Sequence, residues 1–281
     1  MLGARLIWYC PMLALWLGSG CTVTVDPIRA APDGGLGGDA GPSAEAGPRC
    51  TGASDADPGG LSAGLLAYYP CEQALETTLP DLSGNSRNAA LASSATGDAG
   101  FRFSAGKVGK ALYLNSSSSA HVVLPSGMLS DACEATIATW VYLNTQKTLQ
   151  RVWTFSTGAN AYIYLTTDHN LSGLMRAGVT LKTNPDDSAF VEGPSALPAT
   201  VWTHVAVVFS TTGLLLYVDG AQVGSTSPAA IRPADLGKTL YDYIGRSNFS
   251  WDPYLDGAID EFRVYNRALS PTEIRTLASG S

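Results

Sequence analysis

From residue 65 to residue 265 the chain is a succession of short apolar runs, and this pattern limits its fold more than any other feature. The runs are rich in Val, Ile, Thr, Tyr and Trp, with Gly, Asn, Asp or Pro between them. β-Branched and aromatic side chains suit a pleated, half-buried surface, and the intervening residues are turn formers. The pattern predicts strands over 65–69, 111–115, 121–124, 135–143, 151–155, 161–166, 173–181, 201–209, 214–218, 240–245 and 257–265. Many short strands with regular turns imply an all-β, antiparallel two-sheet sandwich or jelly roll. Asp219-Gly220 falls between two such runs and marks a hairpin, since glycine takes positive φ at little cost. Along 201–209 both alternating sets are largely apolar, which predicts a central strand covered on both faces. One short helix is expected at the C-terminal end. Ser270 caps it, Pro271 suits its first position and Glu273 completes a capping box. Ile274 and Leu277 would then face the sandwich. The 30 Gly and 16 Pro among 281 residues, with 15% charged, also fit a turn-rich β protein better than a helical bundle.

The net charge of −7 argues against a nucleic-acid partner, because phosphate contacts need clustered Lys and Arg. Three His and five Cys leave little material for a zinc site. At the N-terminus, a short segment with one positive charge precedes an apolar stretch over 6–17, which is too short to span a bilayer as a helix. Gly18-Ser19-Gly20 and then Cys21 follow. This arrangement resembles a bacterial lipoprotein signal peptide over 1–21, departing from it at Gly18, where a branched residue is usual. The resemblance implies acylation of Cys21 and a membrane contact through lipid alone. Thr22 after the cysteine resembles lipoproteins passed on to an outer membrane. Secretion without a lipid is the alternative. Residues 22–61 lack aromatic residues and are dense in Gly, Pro, Ala, Ser and Asp. Such a segment buries too little to offset its ordering entropy, and it is expected to be a disordered tether.

Seven motifs then occur in order. They are Leu65-Leu66-Ala67-Tyr68-Tyr69-Pro70-Cys71-Glu72, Asp81-Leu82-Ser83-Gly84-Asn85-Ser86-Arg87-Asn88, Gly106-Lys107-Val108-Gly109-Lys110-Ala111-Leu112, Ala135-Thr136-Ile137-Ala138-Thr139-Trp140-Val141, Trp202-Thr203-His204-Val205-Ala206, Tyr217-Val218-Asp219-Gly220, and the closing run from Leu255 through Asp260-Glu261 to Ser270. Their order resembles the laminin-G-like jelly roll of the concanavalin A-like lectin/glucanase superfamily. The resemblance implies one such domain over 62–281. Binders, hydrolases and spacers share this fold, so function has to be argued from the site.

Glycosidases on this fold carry Glu-x-Asp-x-(x)-Glu on one strand, which aims carboxylates into the cleft. No such pattern occurs here, and Asp260 and Glu261, as strand neighbours, should point to opposite faces. Neither a Gly-x-Ser-x-Gly nor a His-Glu-x-x-His motif is present. His204, beside Trp202, is expected to pack, and His121 and His169 have no nucleophile near them in sequence. A non-catalytic protein is the expectation.

Many members of the resembled family hold one structural calcium ion. The resemblance would place it here on the side chains of Glu72 and Asp260 and a carbonyl at or near Asn88. An exported chain meets oxidising conditions. Cys71–Cys133 is the favoured disulfide, with Cys50–Cys71 or Cys50–Cys133 as alternatives. For recognition of a glycan or an extracellular protein, the candidates are Trp251, Tyr254 and Tyr162 as stacking surfaces. Asp252, Asn248 and Arg246 would be the polar partners. The alternatives are a structural or adhesion lipoprotein without a small ligand, and a glycoside hydrolase.

Overall fold

The computed structural model describes residues 60–95, 100–181, 189–226 and 232–280. The signal segment, Cys21 and almost all of the tether lie outside these residues. Two antiparallel sheets face each other, as the strand pattern predicts. The first runs β14 (Ala221–Thr226), β13 (Gly213–Val218), β12 (Thr203–Ser210), β7 (Ala135–Leu143), β16 (Gly257–Tyr265), β5 (Lys110–Leu114), β4 (Phe101–Ala105), and β1 (Leu65–Tyr69) also pairs with β16. The second runs β11 (Ala189–Glu192), β10 (Arg176–Thr180), β9 (Tyr162–Thr166), β8 (Arg151–Ser156), β15 (Tyr243–Ile244), β6 (His121–Val123), β3 (Ala89–Ala92), β2 (Thr78–Leu79). Between them lies a single core that includes Trp153, Phe155, Ile137, Leu112 and Phe262.

The predicted central strand is β12, paired with β13 on one side and β7 on the other. Val205, Val207 and Phe209 enter the core between the sheets. Ala206 and Val208 join a second apolar cluster on the opposite face, closed by Ile274 and Leu277 of helix α1 (Pro271–Ala278). The helix starts as its sequence dictates: the Ser270 hydroxyl accepts from the Glu273 amide, and the Glu273 carboxylate accepts from the Ser270 amide.

Strand β16 explains how the first and last strands meet. Its first half pairs with β5 and its second half with β1, while β7 lies along its other edge. At the changeover the register shifts between Asp260 and Arg263, and Glu261 takes a φ of 54°. Such a bulge breaks side-chain alternation. Ile259 and Phe262 both enter the core, so Asp260 and Glu261 both fall outside it. This corrects the expectation that the two carboxylates point to opposite faces. Asp260 accepts from the Lys107 and Val108 amides, whereas Glu261 accepts from the Tyr68 hydroxyl and pairs with Arg263 at 2.5 Å.

The favoured disulfide is also corrected. Cys71 is a free, buried thiol, whereas Cys133 is disulfide-bonded. Cys71 lies two residues past the end of β1 and packs in the core between the sheets, its Sγ 3.5 Å from the Tyr69 carbonyl. The partner of Cys133 lies outside the described residues.

Candidate recognition face

The outer face of the second sheet carries most of the candidate residues. In an antiparallel sheet, residues directly opposite each other share a face. The pairing therefore defines one row across seven strands: Ala90, Val123, Tyr243, Thr154, Tyr164, Gly178 and Phe190. Ile163, Leu165, Ala177 and Val179 alternate with it into the core. Gly178 leaves room for its neighbour, since a Cβ there would come within 2.7 Å of the Tyr164 ring. The Arg151 guanidinium lies 3.6 Å from the centre of that ring.

The loop from Arg246 to Tyr254 folds onto this face. Its Phe249 meets Tyr162 edge-on, with centroids 5.4 Å apart, and Trp251 stacks on Phe249 at 5.1 Å and 27°. The result is an aromatic ladder from sheet to solvent, with Trp251 77% exposed at its tip. The polar residues of the loop hold it in place. The Ser247 hydroxyl donates to Asp252 Oδ2 at 2.6 Å and accepts from the Phe249 amide, and Arg151 approaches Asp252 at 3.9 Å. Asn248 Nδ2 donates to the Gly158 carbonyl.

The six candidates thus divide. Trp251 presents itself to solvent, and Arg246 and Tyr254 are half-buried. Asp252, Asn248 and Tyr162 brace the loop, their contacts made within the protein. Sequence reasoning missed Phe249, which connects Trp251 to the sheet, and the outward pair Tyr243 and Tyr164. The alternation in Tyr162-Ile163-Tyr164-Leu165 carried a signal for Tyr164, because one tyrosine on that face implies the other.

Arg246 lies against the Tyr243 and Tyr254 rings, 4.6 and 5.9 Å from their centres. Its Nη1 is 3.2 Å from His121 Nε2, and His121 Nδ1 is 2.8 Å from the Ser119 carbonyl. A carbonyl only accepts, so Nδ1 carries the proton and Nε2 accepts from the arginine. Burial, with the Arg246 charge adding to it, holds the His121 pKa below its usual value and keeps the ring neutral. His204 packs edge-on to Trp140 in the first sheet, and burial, with the Arg263 charge adding to it, lowers its pKa to about 3. His169 lies beside Arg176.

The residues implied for calcium meet only in part. Glu72 and Asp260 both bind the turn Gly106–Lys110, and a Cβ at Gly109 would come within 2.2 Å of Glu72 Oε1. That turn presents amide N–H groups, however: Lys110 to Glu72, and Lys107 and Val108 to Asp260. The Asn88 side chain holds the neighbouring loop, its Oδ1 accepting from the Asp81 amide. A calcium ion takes six to eight oxygens. The carboxylate oxygen left for an ion is Asp260 Oδ1, buried without a partner. Among the described residues no group of three or more His, Cys, Asp and Glu side chains is placed to hold a metal. A cleft of about 420 Å³ lies beside this turn, lined by Phe101, Phe103, Leu91, Glu72, Glu76 and Lys110.

Two facing antiparallel sheets and a loop-borne aromatic site on one outer face define a jelly-roll domain of the lectin-like class. The chain belongs to the Laminin_G_3 family of the concanavalin A-like lectin/glucanase superfamily, whose model matches residues 115–275. It is 35% identical over 101 residues to human adhesion G-protein coupled receptor D1, covering 35% of this chain and 11% of the receptor. It is 32% identical over 81 residues to an α-L-arabinofuranosidase of Bifidobacterium longum, covering 28% of this chain and 8% of that enzyme. The matched segments therefore span about a tenth of these relatives. Among solved structures, domain 4 of AbnA, an extracellular GH43 arabinanase of Geobacillus stearothermophilus in complex with arabinotriose, superposes with a TM-score of 0.61. The identity is 24%, covering 76% of this chain and 98% of that domain. Among the described residues no helix is long and apolar enough to cross a membrane.

Proposed function

We propose that this domain is a non-catalytic recognition module that binds a glycan on the outer face of the second sheet, displayed on an exported, lipid-anchored chain. The ladder ending in Trp251 carries the reading. A large aromatic ring 77% exposed gives up apolar burial. Here it stacks on Phe249, which in turn meets Tyr162 edge-on, and that support lowers the entropy lost when a ligand docks. Such a face stacks on sugar C–H groups. The saccharide bound by the structurally similar arabinanase domain makes arabino-oligosaccharides a sensible first neutral probe. The N-terminal sequence supports anchoring through Cys21.

The test is a glycan array followed by calorimetry on the best hit, with wild type and Trp251→Ala. The variant removes no core contact and should keep the native circular dichroism. Affinity should fall at least tenfold, about 1.4 kcal/mol. Binding unchanged in Trp251→Ala would reject this face as the site.

A further inference from the structure

We propose that the recognition face selects saccharides that carry a carboxylate, with the open edge of the Arg246 guanidinium as the anion-binding fork. This inference rests on the glycan reading above and adds a charge to the ligand. The chain as a whole is acidic, at −7. On this face, Arg176 is paired with Glu192 at 2.8 Å and Arg151 approaches Asp252. Arg246 has no carboxylate partner among the described residues. Among the described residues its one side-chain hydrogen bond runs from Nη1 to His121, and its aromatic contacts are with Tyr243 and Tyr254.

Among the described residues nothing accepts from Nε–H or Nη2–H. These two groups point the same way and form the side-on fork of a guanidinium, which matches the two oxygens of a carboxylate. The rings of Tyr243 and Tyr254 take up space where water would otherwise solvate the cation. A half-buried charge without a counter-charge is costly, and an incoming anion would offset that cost. Neutral His121 acts as a positioning residue. Its Nδ1–H bond to Ser119 fixes the tautomer that accepts from Nη1 and so sets the direction of the fork. The fork and the Trp251 ladder lie on one loop over one sheet face. A uronic-acid saccharide could therefore stack a ring on the tryptophan and give its carboxylate to the arginine.

The experiment uses the purified protein with trisaccharides of galacturonate, glucuronate, mannuronate and guluronate, each beside its neutral methyl ester. At least one acid should bind tenfold or more tightly than its ester at low salt, with the gap narrowing in 0.5 M NaCl. Arg246→Gln should erase the gap between acid and ester, and Arg246→Lys should keep part of it. His121→Phe should narrow it in the same sense. Equal binding of acids and esters, or a preference surviving Arg246→Gln, overturns the inference. If Trp251→Ala still abolishes neutral-glycan binding in that case, the glycan reading stands without it. If neither acids, esters nor the glycan array shows binding, both readings fall.

Discussion

At the scale of single residues, the tightest constraints sit where backbone meets backbone. Gly257 opens β16 opposite Leu143, and a Cβ there would lie 2.0 Å from the Tyr142 carbonyl oxygen. That oxygen belongs to a central strand and cannot move without opening the β7–β16 ladder. Gly257→Ala should therefore cost about 2–3 kcal/mol, read as a lower urea midpoint with an unchanged slope. A sequence reader sees this glycine as the start of a strand and has no means of seeing what it touches. The same holds for the recognition loop. Trp251 is legible as an aromatic in a polar loop, but the commitment of Asp252 to Ser247 and Arg151 is not. Hydrogen-bonding groups look alike in sequence whether they face a ligand or a neighbour.

At the scale of elements, the C-terminal helix was the most legible part because its signals are local. Ser270, Pro271 and Glu273 lie within four positions and specify the cap without help from the rest of the chain. Arg267 adds what the helix alone lacks, reaching Glu273 at 2.6 Å. Its hydrogen bonds pull the Glu273 pKa down to about 2, against the opposing effect of burial. A carboxylate whose pKa is lower folded than unfolded stabilises above its unfolded pKa, and that contribution is lost as the pH falls toward the folded value. Wild type should thus exceed Glu273→Gln in stability at pH 7, and the gap should close between about pH 4.5 and pH 2. A constant gap across that range would show that charge plays no part. Ser270→Ala should cost about 1 kcal/mol. The sequence pattern foresees strand β14 only as the second arm of the Asp219-Gly220 hairpin, and it does not foresee β2, β3, β4 and β11, each of two to five residues, at all. Such short segments carry too few positions for alternation to be visible, and β2, β4 and β11 sit at sheet edges, where pairing decides whether they form at all.

At the scale of the whole molecule, the cysteines test how the domain is closed. Burial raises the Cys71 thiol pKa well above its ordinary value, and a thiol that stays protonated reacts slowly. Non-reducing peptide mapping should find Cys133 joined to Cys50, the alternative pairing left by the sequence, and Cys71 alkylated only after unfolding. A peptide linking Cys71 to Cys133 would contradict this arrangement. The sequence by itself determined the layered β architecture, the terminal helix and the placing of the aromatic loop late in the chain, because hydrophobic period and capping are properties of neighbouring residues. Only the tertiary structure decided which face that loop covers, that β16 bulges as it changes partners, and that Arg246 meets His121 across 125 positions. Those outcomes depend on strand order and register, which bring distant residues within hydrogen-bonding distance and which no local pattern encodes.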